Sequence, residues 1–176
     1  IINLAAYPLA VKALEISGID AARGQLRKNV TALLSLAIPA AAGLMLLATN
    51  ISDVFVGEGF RAEAASIIPW IALGALLNGI KAYHVDLGFQ LGKQTLGQIW
   101  SVFSAALSNF LLNLVFIPHQ GALGAAYSTV VAYAVGLAMS WGLSRRVFPI
   151  PFPVVDCFKV VLATAGMVLV LVQITH

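Results

Sequence analysis

The chain has 176 residues, of which 60% are hydrophobic and 10% charged, with a net charge of +3 and a mean hydropathy of +0.94. Soluble domains carry about 25% charged residues, so this chain cannot cover a water-facing surface of ordinary size, and lipid has to cover the rest. Its basic residues lie in short segments between apolar runs rather than in an exposed cluster, which argues against a nucleic-acid partner. The single Cys157 excludes an internal disulfide and any cysteine-built metal site.

In chain order, residues 1–17 form an apolar run interrupted by Lys12 and Glu15, the end of a span passing into an interfacial helix. The run is already under way at Ile1, and His176 follows directly on another, so the chain is expected to be a fragment of a longer polypeptide. Residues 18–29 carry Asp20, Arg23, Arg27 and Lys28 and read as a charged loop or surface helix. A span is expected over 30–50, kinked at Pro39 because proline removes a backbone hydrogen bond. Asp53, Glu58, Arg61 and Glu63 mark the next connection, and a third span occupies 64–83. Residues 84–93 are polar enough to be a loop or a helical extension into the headgroups.

No Asp, Glu, Lys or Arg occurs from Gln94 to Ser144. As one helix this stretch would be about 75 Å long, against a hydrocarbon core of about 30 Å. It is therefore expected to be two spans, 95–117 and 122–143, turned at Pro118-His119-Gln120-Gly121. Pro149, Pro151 and Pro153 forbid a continuous helix after Arg145 and Arg146, and a last span is expected over 154–175. The chain is thus expected to be an all-α polytopic bundle. Lys12, Arg23, Arg27, Lys28, Lys81, Lys93, Arg145, Arg146 and Lys159 belong to one set of connections, and only Arg61 to the other. The positive-inside rule assigns 18–29, 84–94 and 145–153 to the cytoplasm, and Gly121 and His176 to the outer side.

On a helical wheel Gln98, Ser101, Ser104, Ser108 and Asn109 gather on one face of 95–117 with Asn113 at its edge, opposite Trp100, Phe103, Leu107, Phe110 and Leu114. This face either bonds neighbouring helices or lines a water-filled cavity. In the next span Gly124, Ser128, Ala132, Gly136, Ser140 and Ser144 recur every four residues, a small-residue ladder for close helix packing. Asn78 and Lys81 form a smaller polar patch. Lys81 either snorkels to the headgroups or meets an anionic substrate. No metal cluster, cofactor fingerprint or catalytic arrangement is visible, no cofactor is expected, and no carboxylate is placed at mid-membrane depth.

The segment Asn109 to Tyr133 resembles the polysaccharide transporter family of the multidrug/oligosaccharidyl-lipid/polysaccharide exporter superfamily. The resemblance rests on Asn109, Asn113, Pro118, Gly121, Gly124, Ala125, Ala126, Thr129 and Tyr133. Upstream, YPLAVKALEISGIDAARGQLRK and LGFQLGKQ look like that family's cytoplasmic connections. The resemblance implies one lobe of a twelve- to fourteen-helix, two-lobed exporter of the cytoplasmic membrane, working by alternating access, with residues 1–176 as the C-terminal lobe and an N-terminal lobe elsewhere in the same polypeptide. It implies a flippase for polyprenyl-diphosphate-linked oligosaccharide in exopolysaccharide, O-antigen or capsule assembly. The Ser and Asn face would then contact sugar hydroxyls, and Lys81 or Arg145 the phosphates. The alternatives are a cation-coupled multidrug exporter, which needs an intramembrane carboxylate, a membrane glycosyl- or acyltransferase, for which Asp20, His84, Asp86 and Asp156 are too scattered, and a purely structural membrane subunit.

Overall fold

The computed structural model describes the backbone of residues 2–175 and the side chains of 7–173. Ile1 and His176, the latter expected at the outer side, lie outside the described residues. The described residues form helices and short connections with no β-strand: α1 Ile2–Leu46, α2 Ala48–Phe55, a 3-10 turn Glu58–Phe60, α3 Arg61–Ile80, a π turn Lys81–Val85, α4 Leu87–Leu91, α5 Leu96–Val147 and α6 Val154–Thr175. Four helical stretches among the described residues are long and apolar enough to cross a membrane.

Two of these stretches are each a pair of helices broken at one glycine. Gly18 has φ 81°, and Gly121 has φ 58° and ψ −134°, backbone that glycine adopts without the clash a Cβ would cause. Gly121 makes α5 a hairpin with arms 96–120 and 122–147. A Cβ on Gly124 would strike the Phe116 carbonyl, and one on Gly136 would lie 3.0 Å from Ala105 Cβ. Asn109 Nδ2 donates to Thr129 Oγ1 at 3.4 Å, and Ser101 and Ser140 meet at 2.7 Å. These pairs move outward from the glycine at an almost constant register, so the arms are antiparallel along their length.

The serine and asparagine face of the first arm therefore meets the small-residue face of the second. Gly124, Ser128, Ala132, Gly136, Ser140 and Ser144 are all buried. The opposite side of the first arm, with Trp100, Phe103, Leu107, Phe110 and Leu114, is exposed.

α3 packs on α1, α2 and α5, and α6 packs on α1. Trp70 meets Tyr127 edge-on, with ring centroids 4.6 Å apart. At the end of the bundle away from Gly121, Ala10, Ala22, Leu26, Leu87, Leu91 and Phe148 form an apolar cluster, joined by Val11, Leu14 and Ile150. Arg27 Nη2 pairs with Asp156 Oδ2 at 3.1 Å, and Arg23 Nε donates to the Pro149 carbonyl at 3.3 Å. The segments 18–29, 84–94 and 145–153 thus converge on one end, where the charge bias groups them.

α1 continues through Pro39 to Leu46 and is interrupted at Leu47 (φ −92°, ψ 13°). Neighbouring groups and small backbone adjustments absorb a proline's missing hydrogen bond in apolar helices. Residues 84–89, expected as a loop or an extension into the headgroups, are buried. The π turn rotates them inward, and the bare backbone of Gly88 and Gly92 lets α4 lie against Ser144 and Val147.

Candidate functional site

In an α-helix each residue turns about 100°, so residues five apart point about 140° away from each other. The π turn changes this. Asp86 N donates to Lys81 O at 2.9 Å, the i to i+5 bond of a π-helix, and the wider turn brings Lys81 and Asp86 to the same side. Lys81 Nζ lies 2.8 Å from Asp86 Oδ2, with the two side chains 8% and 5% exposed. The lysine stem runs beside Gly136, where an added Cβ would stand 3.4 Å from Lys81 Cε.

Asp86 is held from several elements. Ser140 Oγ donates to its Oδ1 at 2.7 Å and lies as close to Ser101 Oγ. The single Ser140 proton goes to the carboxylate, so the Ser101 hydroxyl donates to Ser140. Gln98 Nε2 reaches Asp86 Oδ2 at 3.5 Å, and Ser144 Oγ donates to the Val85 carbonyl at 3.0 Å. The π turn is thereby pinned to both arms of α5 by a buried, charge-neutral network. A pair of this kind is held by geometry as much as by Coulomb attraction, because both ions have lost their water.

On the other flank of α3, Trp70, Ile71, Gly74, Asn78, Thr129 and Tyr133 help to line a groove of about 500 Å³ between α3 and the second arm of α5. Gly74 sets its shape, since a Cβ there would stand 3.3 Å from the Tyr133 ring. The groove is apolar towards Ile67 and Ala122 and polar towards Asn78, Thr129 and Tyr133. Behind Thr129, Asn113 Nδ2 donates to Asn109 Oδ1 at 2.9 Å.

The sequence-derived candidates separate accordingly. Lys81, Gln98 and Ser101 belong to the buried network. Ser104 donates to the Ser101 carbonyl, Asn109 and Asn113 bridge towards Thr129, and Ser108 is half-buried beside them. Asn78 alone of the eight lines the groove. Sequence reasoning missed Asp86 as the partner of Lys81, because five-residue spacing opposes two side chains on an α-helix. It also left His84 in a loop or a helical extension into the headgroups, whereas the imidazole is 1% exposed. Among the described residues no group of His, Cys, Asp and Glu is placed to hold a metal ion.

No family model matches the chain, and no curated protein matches it in sequence. Among solved structures, the lipid II flippase MurJ in its inward closed conformation superposes with a TM-score of 0.82 at 19% sequence identity, over 100% of this chain and 38% of that one. The chain therefore has the helix-bundle fold of a part of that membrane protein and spans 38% of its length.

Proposed function

We propose that the chain is one lobe of a flippase that moves a lipid-linked oligosaccharide across the cytoplasmic membrane for polysaccharide assembly. The observation that carries this reading is the superposition of the entire chain on part of the lipid II flippase MurJ at a TM-score of 0.82. That protein is by its name a flippase for lipid II, and a lipid-linked substrate is proposed here. The Asn109 to Tyr133 resemblance to polysaccharide transporters supports the choice of an oligosaccharide head.

In mechanism, the lobe moves as a unit against a second lobe of the same polypeptide, and the hairpin contacts and the Lys81–Asp86 network keep it rigid. The polar end of the groove, with Asn78, Thr129 and Tyr133, offers hydrogen bonds to sugar hydroxyls, while the prenyl tail stays in lipid. Lys81, already paired, holds the lobe together rather than reaching the phosphates. Asp86 is matched by that ammonium, which disfavours the cation-coupled multidrug reading, since such coupling needs a carboxylate free to bind and release its ion.

The test is transport by the full-length protein in proteoliposomes, with a fluorescent polyprenyl-diphosphate oligosaccharide and an impermeant glycosidase that reports exposure of the head. Protein-dependent exposure is expected, with a loss of at least tenfold on Gly74→Trp, which fills the groove. Transport of lipophilic cations with no exposure of the oligosaccharide would overturn the reading.

A further inference from the structure

The π turn carries a second buried polar side chain that neither the ion-pair network nor the proposed transport uses. His84 is 1% exposed, and its Nε2 has no hydrogen-bond partner among the protein atoms. One face of the ring packs near Phe152, with centroids 5.8 Å apart. His84 also borders a small, partly open space of about 10 Å³ that it shares with Val85, Trp141, Ser144, Arg145 and Ile150.

A buried imidazole nitrogen left without a partner is destabilising because its lost hydration is not replaced, so native proteins satisfy such atoms with protein groups or ordered water. The volume decides which ligand fits. One water needs about 10–15 Å³ of such space and at least two polar partners, whereas a sugar, a phosphate or a lipid chain needs far more. The second partner is present. The Ser144 proton is committed to the Val85 carbonyl, which leaves the Ser144 lone pairs able to accept.

We infer that this space is a binding site for one water molecule, bridging His84 Nε2 to Ser144 Oγ. The water donates to Ser144 Oγ. It either donates its second hydrogen to an unprotonated Nε2 or accepts from a protonated one, so the bridge forms with either neutral tautomer. Arg145 borders the space on the side of the basic end, and its guanidinium lies 5.2 Å from the centre of the Trp141 ring. The bridge would add a third tie between the π turn and the second arm of α5, beside the Asp86–Ser140 and Val85–Ser144 bonds.

The experiment is a density map of the full-length protein at a resolution that shows ordered water elsewhere in its interior, paired with water-selective NMR on ¹⁵N-histidine-labelled protein. The expected result is one isolated peak about 2.7–3.2 Å from His84 Nε2, together with magnetisation transfer from water to the His84 ring. His84→Phe, similar in size and without a polar atom, should remove the peak. An unfilled space with a ring silent to water, a peak unchanged in His84→Phe, or an Nε2 bonded directly to a protein group would each overturn the inference. The NMR measurement on the unaltered chain decides the question even if the variant fails to fold.

Discussion

Lys81 illustrates how little a residue's type says about its use. As a basic residue near the end of an apolar run, it fits a headgroup contact or a substrate contact equally well. The structure instead spends its charge on Asp86 at 2.8 Å, under the ladder helix. Removing one member of a buried pair strands the other charge and costs about 3–5 kcal/mol. Lys81→Met is therefore expected to lower resistance to denaturant by that order, and Lys81→Met combined with Asp86→Leu to recover most of the loss. Chemical denaturation in detergent of the two variants and the parent chain measures this. An equal loss in the single and double variants would mean that the Asp86 carboxylate, left without Lys81, costs nothing, against the expected penalty of a stranded buried charge.

At the scale of elements, the α5 hairpin joins its two arms through small residues. Its small residues matter where the other arm is close and nowhere else, and two glycines on one helix show the contrast. Gly136→Leu drives a side chain into Ala105 and the Lys81 stem and is expected to destabilise by about 1–3 kcal/mol. Gly142 meets nothing within 4 Å, so Gly142→Leu should be neutral or mildly stabilising, since leucine favours helix over glycine. Thermal unfolding of the two variants side by side checks the difference. The register makes a further claim. With Cys157→Ser removing the native thiol, Ser101→Cys with Ser140→Cys should form a disulfide under mild oxidation, detected as a mobility shift reversed by reductant. Absence of the cross-link would contradict the antiparallel pairing.

The hairpin was legible in the sequence because the uncharged stretch exceeds any single membrane crossing and contains Pro118 and Gly121. The small-residue ladder was legible too, since a four-residue spacing marks one helical face. Which surface that ladder meets was not. The Ser and Asn face of the first arm has the same composition whether it lines water or bonds a neighbour, and only the position of the second arm places Ser101 on Ser140 and Asn109 on Thr129. The π turn at Lys81–Val85 was not legible at all, for nothing in KAYHV departs from ordinary helical sequence.

At the scale of the molecule, three connections separated by tens of residues gather at one end, joined by the Ala10, Leu26, Leu91 and Phe148 cluster and by the Arg27–Asp156 pair. That end holds most of the positive charge. A reporter fused after Gly121 is expected on the outer side of the membrane and one inserted after Lys93 on the cytoplasmic side. Alkaline phosphatase and green fluorescent protein fusions read the two sides, and a cytoplasmic signal at Gly121 would reverse the proposed orientation. The whole chain shares its fold with part of a lipid II flippase, and the groove beside Asn78 and Tyr133 is the site proposed for substrate.

The sequence by itself determined that this chain is an all-helical membrane bundle, where its helices turn and which connections share a side. Apolar run length, glycine and proline placement and charge bias are local properties that act without knowledge of neighbours. Tertiary structure alone decided which polar residues are free. Burial and partnership depend on what packs across from a side chain, so Lys81 and Ser101 became internal ties, His84 moved from an expected surface loop or headgroup extension into the interior, and Asn78 was left facing the groove.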